Sequence, residues 1–352
     1  MPIQMKDVAK RAGVSVTTVS HVLNETRFVA ADTRARVLQA MKDMSYYKNA
    51  SARLLARGRS DSFGLIISDI ENPFFPELIK AFEVAALKKG TDVLLGTTNY
   101  DPLQARRAVS RMIENKVRGV AVMTTQLEAA FIEDLVANDI PVVLLDSGET
   151  RKARSNIRVA YTTGAKAMVE HLKALGHSDI AIVAGPAHRT SAQHYREAIQ
   201  NAIAECGLPA PRVLEGDNRV EGGAAAVRTL IQQPNLPTAI VCGNDSAAIG
   251  AIQALNEAGL SVPGEVSIVG SDDINLARYS SPPMTTVRIP RDQLGALAVE
   301  AIEKLLRTKR RVPADYTVET SLVIRGSTGK ARTVADAPNS DALFRGTGVK
   351  PS

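Results

Sequence analysis

The chain has 352 residues, a formal net charge of +6 and only two cysteines. That length suits two or three domains, and the cysteine count excludes a disulfide framework or a cysteine-built metal site. No apolar run reaches the roughly 18 residues that a membrane-spanning helix needs, and the opening MPIQMKDVAKRAG lacks the apolar stretch of an export signal, so no membrane partner and a cytoplasmic location are predicted.

The charge is uneven. Residues 1–60 hold eleven Lys and Arg against four Asp and Glu, a balance of +7, and the remaining 292 residues sum to −1. A basic head on a near-neutral body points to a polyanion that meets the head alone.

Three short helices are predicted between about residues 5 and 45. MKDVAKRAG is closed by Gly13, a natural C-terminal stop. Ser15 stands where an N-cap belongs. In the helix that follows, Val19, Val22 and Leu23 share one face, while Thr17, Thr18, Ser20 and His21 occupy the other. A third helix is expected from about Asp32 to Met44, with Val37, Met41 and Met44 on its inner face. Two helices around a tight Gly-containing turn, braced by a third, form a helix-turn-helix.

The outer face of the second helix is unusual. A helix that only covers a core carries Lys, Glu and Gln there. Short hydroxyls instead let a backbone approach a DNA major groove, where Thr and Ser donate to or accept from base edges and methyl groups suit thymine. Neighbouring cations supply the sequence-independent grip on phosphates. Next, KNASARLLARGRS has helix-favouring Ala, Leu and Arg but is too short to be stable alone, so ordering on binding is expected.

From Asp61 onward the texture changes. FGLIISD, TDVLLGTT, GVAVMTT, PVVLLDS, DIAIVAGP, TAIVCGND and VSIVGSDD read as buried strands. Helical stretches such as PELIKAFEVAALKKG, AKAMVEHLKALG and SAAIGAIQALNEAG alternate with them. The fold class is α/β: parallel, doubly wound sheets. With the late segment DYTVETSLVIR the strands exceed one compact unit, so two lobes with a cleft at the strand ends are expected. Cys206 and Cys242 read as buried small apolar residues. The last 23 residues show no sustained periodicity and read as a disordered tail.

KDVAKRAGVSVTTVSHVLNETRFVAADTRARV resembles the DNA-binding head of the lactose repressor (LacI/GalR) family, especially its purine and ribose repressor branch. ASARLLARG resembles that family's hinge helix. NPFF, VEHLKALGH, DIAIVAGP, GNDSAAIGAIQALNEAGLSVPGEVSIVGSDDI and SPPMTTVRIP resemble its periplasmic-binding-protein-like core. The likeness covers roughly Met5 to Arg325. It implies a helix-turn-helix over residues 1–48 and a hinge helix over 49–60. It also implies an N-terminal lobe of 61–158 and 290–321 and a C-terminal lobe of 159–289 and 322–329, with a tail over 330–352.

The resemblance implies a homodimer on a palindromic operator, responding to a small effector. By position, Val16, Thr17 and His21 would read bases, within a DNA-binding set of Ser15, Val16, Thr17, Thr18, His21, Asn24, Arg27, Arg53 and Leu55. Leu55 matches the hinge leucine that wedges into the minor groove, an insertion that bends DNA onto more protein surface. The effector pocket would hold Phe74, Phe75, Asp146, Arg196, Asn218, Asn244 and Asp272. Lys48 replaces a common hinge proline, and Ala30 replaces a hydroxyl cap.

Three further departures touch the pocket. The loop from Gly185 is one residue longer, which sets Tyr195 against Arg196 for the family's ligand arginine. Asn218 stands where an aromatic often stacks, and Val159-Ala160 replaces an Asp-Asn pair. Stacking Phe rings with Asp, Asn and Arg donors and acceptors favour a sugar or sugar derivative. His188, Arg189 and His194 leave an acid or phosphate open, and a nucleobase stays an alternative. No P-loop, nucleophile elbow, metal-ligand cluster or GxGxxG is present, so a regulator is expected in place of an enzyme, without cofactor. A sugar receptor for transport uses the same core but requires export and has no use for a basic head. The tail lacks leucine heptads, which favours a dimer over a tetramer. The sign of the effector's action stays open.

Overall fold

The computed structural model describes residues 3–46, 59–124, 127, 129–146, 153–307 and 311–332. The chain forms two compact units, Met1–Ser60 and Asp61–Ser352.

The first unit contains helices α1 (Met5–Ala12), α2 (Val16–Asn24) and α3 (Ala31–Asp43). Gln4 and Asp7 form a reciprocal cap at the start of α1. Gly13, at φ +65°, ends that helix in the left-handed conformation, and Val14 N–H donates to the Ala9 carbonyl at 3.0 Å. Ser15 caps α2 by accepting from Thr18 N–H at 3.0 Å. Ala30 precedes α3 with no side-chain cap. Val8, Ala9, Ala12, Val19, Val22, Val37 and Ala40 form the core, with Leu23, Met41 and Met44 packed half-buried at its edge. A core of seven small apolar side chains makes a unit of marginal stability.

The second unit is built on two six-stranded sheets. Its strands are β1 (Ser62–Ile67), β2 (Asp92–Thr97), β3 (Val120–Met123), β4 (Val142–Leu145), β5 (Arg154–Ala160), β6 (Ile180–Ala184), β7 (Arg212–Glu215), β8 (Ala239–Cys242), β9 (Ser267–Asp272), β10 (Thr285–Arg288), β11 (Asp315–Glu319) and β12 (Ser321–Val323). Its helices are α4 (Phe74–Leu87), α5 (Pro102–Glu114), α6 (Ala129–Ala137), α7 (Tyr161–Ala174), α8 (Thr190–Glu205), α9 (Val220–Ile231), α10 (Asp245–Glu257) and α11 (Arg291–Arg307).

The first sheet runs β11-β5-β4-β3-β1-β2, all parallel. The second runs β12-β10-β9-β8-β6-β7, parallel except for β12 against β10. In the first sheet alternate side chains serve opposite faces. Phe63, Leu65 and Ile67 join Phe74, Leu78, Phe82 and Leu294 in one cluster. Ile66, Val122 and Leu144 join Val109, Met112 and Leu135 in another. Both faces are therefore covered by helices, which is why these strands read as unbroken apolar runs.

Strands β5, β7 and β10 were not among the predicted segments. DYTVETSLVIR, read as one late element, is two strands that break at Thr320 and enter different sheets. The chain thus passes between the sheets after Ala160, after Arg288 and at Thr320. Buried Thr320 stitches two of these passages: its hydroxyl donates to Ala160 O at 2.7 Å and accepts from Gly164 N–H at 2.9 Å. Cys242 is buried, as expected, whereas Cys206 is only half-buried.

The expected tail from residue 330 begins too early. Ala331 N–H donates to Leu175 O at 2.9 Å, and Arg332 donates to the carbonyls of Pro237, Glu265 and Leu236. Residues from 333 onward lie outside the described residues, as do residues 47–58, which include most of the hinge helix expected over 49–60. No helix among the described residues is long and apolar enough to cross a membrane.

Candidate functional site

On the first unit, α2 presents Val16 and Thr17 to solvent at its first turn, with Val16 46% exposed. Thr18 turns its hydroxyl to Ser15 Oγ at 2.9 Å, so these two hydroxyls first serve the cap. His21 Nδ1 lies 2.8 Å from Thr26 Oγ1, which fixes the ring and leaves Nε2 for another partner. Asn24 donates to Ser20 Oγ at 3.2 Å, a bond within α2. Arg27 is exposed, as are Lys6, Lys10, Arg36 and Lys42. Phe28 is 96% exposed beside Arg27, a feature the sequence reading did not single out. Arg53 and Leu55 lie outside the described residues.

On the second unit, a cavity of about 120 Å³ opens where the two sheets face each other with their strand ends. Its wall is built from residues that follow strands: Ser68 after β1, Tyr100 after β2, Thr124 after β3, Asp146 after β4, Gly185 after β6, Asn218 after β7, Asn244 after β8 and Ile289 after β10. Ser271 and Asp272 end β9 on the same wall. Parallel sheets place ligand sites at this end, where helix N-termini and loops converge. All seven candidate effector residues line this cavity: Phe74, Phe75, Asp146, Arg196, Asn218, Asn244 and Asp272. Phe74 and Phe75 meet edge to face, their centroids 5.5 Å apart.

The polar members differ in how committed they are. Asn244 caps α10, accepting from Ala247 N–H at 2.9 Å, and donates to Asn218 O at 2.9 Å. It first holds the wall's shape. Asp146 accepts from Val159 N–H at 3.1 Å and Tyr161 OH at 2.5 Å. Burial outweighs these bonds and pushes its carboxyl up to about 6. Asp272 is buried near Asp245, and desolvation holds its carboxyl well above the usual carboxylate range. Beneath it Asp245, pushed up to about 7 by burial, accepts from Thr286 Oγ1 at 2.5 Å and Ile274 N–H at 2.8 Å.

Tyr100, Tyr161 and Ser271 were missed by sequence reasoning. Tyr161 opens α7 at a passage between the sheets, and Tyr100 follows the polar end of β2; only position after a strand end marks them. Tyr195 and Arg196 both line the cavity. Tyr195 is buried against Tyr161, with ring centroids 5.5 Å apart. Arg189 lies flat on Tyr100, its guanidinium carbon 3.6 Å from the ring centroid. Two buried polar atoms of this wall, Arg189 Nε and Asn218 Oδ1, have no hydrogen-bond partner, and the buried Tyr195 hydroxyl meets Ser271. Buried polar groups are seldom left without a partner.

Arg291 ties the two sides together behind the wall. It donates to Glu77 Oε2 through Nε at 3.2 Å and through its terminal nitrogen at 2.9 Å. It also donates to the carbonyls of Asp272 and Asp273, the latter at 2.6 Å. Asn275 N–H adds a bond to Glu77 Oε1 at 2.8 Å. At the mouth, Arg219 approaches Asp69 at 3.7 Å and Glu71 at 3.9 Å. No group of three His, Cys, Asp or Glu able to hold a metal ion occurs among the described residues.

Known proteins share this arrangement. Residues 4–49 match the bacterial regulatory proteins of the lacI family, and residues 169–328 match a periplasmic binding protein-like domain. The HTH-type transcriptional repressor PurR of Pasteurella multocida is 37% identical over 327 residues, spanning 92% of this chain and 98% of its own. A lac repressor dimer bound to operator and the anti-inducer ONPF superposes with a TM-score of 0.82 at 28% identity, over 94% of this chain and all of that one. A LacI family regulator from Enterococcus faecium with bound ribose gives a TM-score of 0.70 at 25% identity, over 77% of this chain and all of that one. The chain belongs to the lacI family of bacterial regulatory proteins, as a DNA-binding transcriptional repressor and not an enzyme.

Proposed function

We propose that this repressor binds a palindromic operator as a homodimer and that a single-ring effector, a sugar or sugar derivative, controls the affinity from the cavity between the two sheets. The observation that carries this is the cavity itself, about 120 Å³, set between the strand ends of both sheets and lined by Asp146, Arg196, Asn218 and Asp272 beside two Phe rings. Phe faces stack on a ring while Asp146, Asp272 and Asn218 meet hydroxyls. The ribose held by the Enterococcus faecium relative supports a monosaccharide. The resemblance to the purine-repressor branch makes a nucleobase the second reading.

The lobe boundaries expected from the sequence are kept as part of this proposal, with the cytoplasm as the place of action. Val16, Thr17 and His21 read base edges, Ser15, Thr18 and Asn24 shape the reading helix, and Arg27 and Arg53 hold phosphates. Leu55 is the minor-groove wedge. Dimer formation is supported by the lac repressor dimer on operator. Effector and operator affinities are then coupled reciprocally through the lobes.

Selection of random duplexes on the full chain tests this. It is run at near-physiological salt with and without ribose, glucose, galactose, guanine and hypoxanthine. An enriched palindrome whose recovery changes with a sugar supports the reading. Dependence on a purine base alone replaces the sugar. Leu55→Ala is expected to weaken specific binding and leave effector affinity intact, and equal loss of both refutes the wedge assignment.

A further inference from the structure

We propose that the effector is a monosaccharide-sized acid, its carboxylate seated at the amino end of α8 against Arg189 and its hydroxyls turned to Asp146, Asp272 and Asn218. This rests on the reading above that the cavity is the effector site.

Three observations carry it. First, the amino end of α8 borders the cavity through Ser191 and Ala192, and it has no side-chain cap. Its first-turn N–H groups and the helix dipole favour an anion there. Second, Arg189 and Arg196 both line the cavity and neither has a carboxylate partner among the described residues. The nearby acid Asp69 faces Arg219 instead. Arg189 sits over Tyr100, its guanidinium carbon 3.6 Å from the ring centroid, which holds this cation at the wall. Half-buried guanidiniums without a carboxylate form charge-assisted hydrogen bonds with an anion that enters.

Third, the acids that share this wall are engaged or neutralised elsewhere. The opposing carboxyls do not cancel this charge. Asp146 is committed to Tyr161 and Val159, and burial holds the Asp272 carboxyl well above the usual carboxylate range, towards its neutral form.

The test is calorimetric titration of the full chain with matched pairs: glucuronate against glucose, galacturonate against galactose, and gluconate against glucitol. Glucose 6-phosphate, ribose and hypoxanthine complete the set. At least one acid is expected to bind ten-fold or more tightly than its neutral partner. Arg189→Gln is expected to cut the acid-to-neutral affinity ratio ten-fold or more, and an unchanged ratio overturns the acid proposal. Arg196→Gln, read by the same acid-to-neutral ratio, serves if the first variant misfolds. A neutral sugar binding as tightly as its acid, or the phosphate binding more tightly than any acid, overturns the acid proposal and leaves the sugar reading standing. Hypoxanthine binding with no response to any sugar or acid overturns both.

Discussion

Arg291 is the contact whose removal tests the cavity's architecture most directly. Its side chain is 11% exposed and makes two charge-assisted bonds to Glu77, one to Asp273 O and one to Asp272 O. Bonds of this kind contribute about 1.5–3 kcal/mol each when one partner is left buried. Glu77 is 36% exposed and rehydrates in part, so its share is discounted. Arg291→Met is therefore expected to destabilise the second unit by roughly 2–4 kcal/mol, with about 1–2 kcal/mol of coupling to Glu77. The assay is urea unfolding of the wild type, Arg291→Met, Glu77→Gln and the double variant. Because Asp272 and Phe74 form the cavity wall in front of Arg291, which sits 5.7 Å from the Phe74 ring, effector affinity should fall several-fold in parallel. A coupling energy below about 0.5 kcal/mol, the scatter of independent sites, refutes the claim that Glu77 and Arg291 act together in holding this wall.

Ser15→Ala removes the α2 cap and is expected to destabilise the first unit by about 1 kcal/mol, read from helix content against temperature. An unchanged midpoint refutes the cap's role. Gly250→Ala forces a Cβ to within 1.9 Å of Val220 O where α9 and α10 meet. The loss should reach about 3 kcal/mol or more, and a melting midpoint unchanged within error refutes that close approach. The Asp146 carboxyl is raised in the fold, so its stabilising contribution is full below about pH 4 and fades as pH rises through about 6. Asp146→Asn should flatten the fall in stability between about pH 4 and 6, and parallel slopes for variant and wild type contradict it.

Much of the fold was readable from residue pattern because six of the seven anticipated strands are buried along nearly their whole length and rich in Val and Ile. The three strands not anticipated are polar for identifiable reasons. In β5, Arg154 pairs with Glu133 at 3.3 Å and Ser155 Oγ accepts from Ala314 N–H at 3.1 Å. In β10, Thr286 serves Asp245 and Thr285 meets Thr328 at 3.0 Å. β7 is a short edge strand, half exposed throughout. In each case distant residues satisfy side chains that local propensity counts against a strand. The cavity was legible where resemblance supplied positions, and seven residues scattered from Phe74 to Asp272 met in one wall. What no local pattern revealed was Tyr100 against Arg189, a contact between loops 89 positions apart.

The three passages between the sheets also govern the order in which the molecule can be assembled. β5 lies between β4 and β11, and β11 begins at Asp315, so the first sheet is incomplete until nearly all of the second has been synthesised. Neither lobe corresponds to an uninterrupted length of polypeptide, so no single cut releases one intact. The helical head closes its own core within the first 46 residues and is free to fold while the ribosome is still translating the rest. A nascent chain stalled before Asp315 would therefore carry a finished helical head on a core whose cavity is still unfinished.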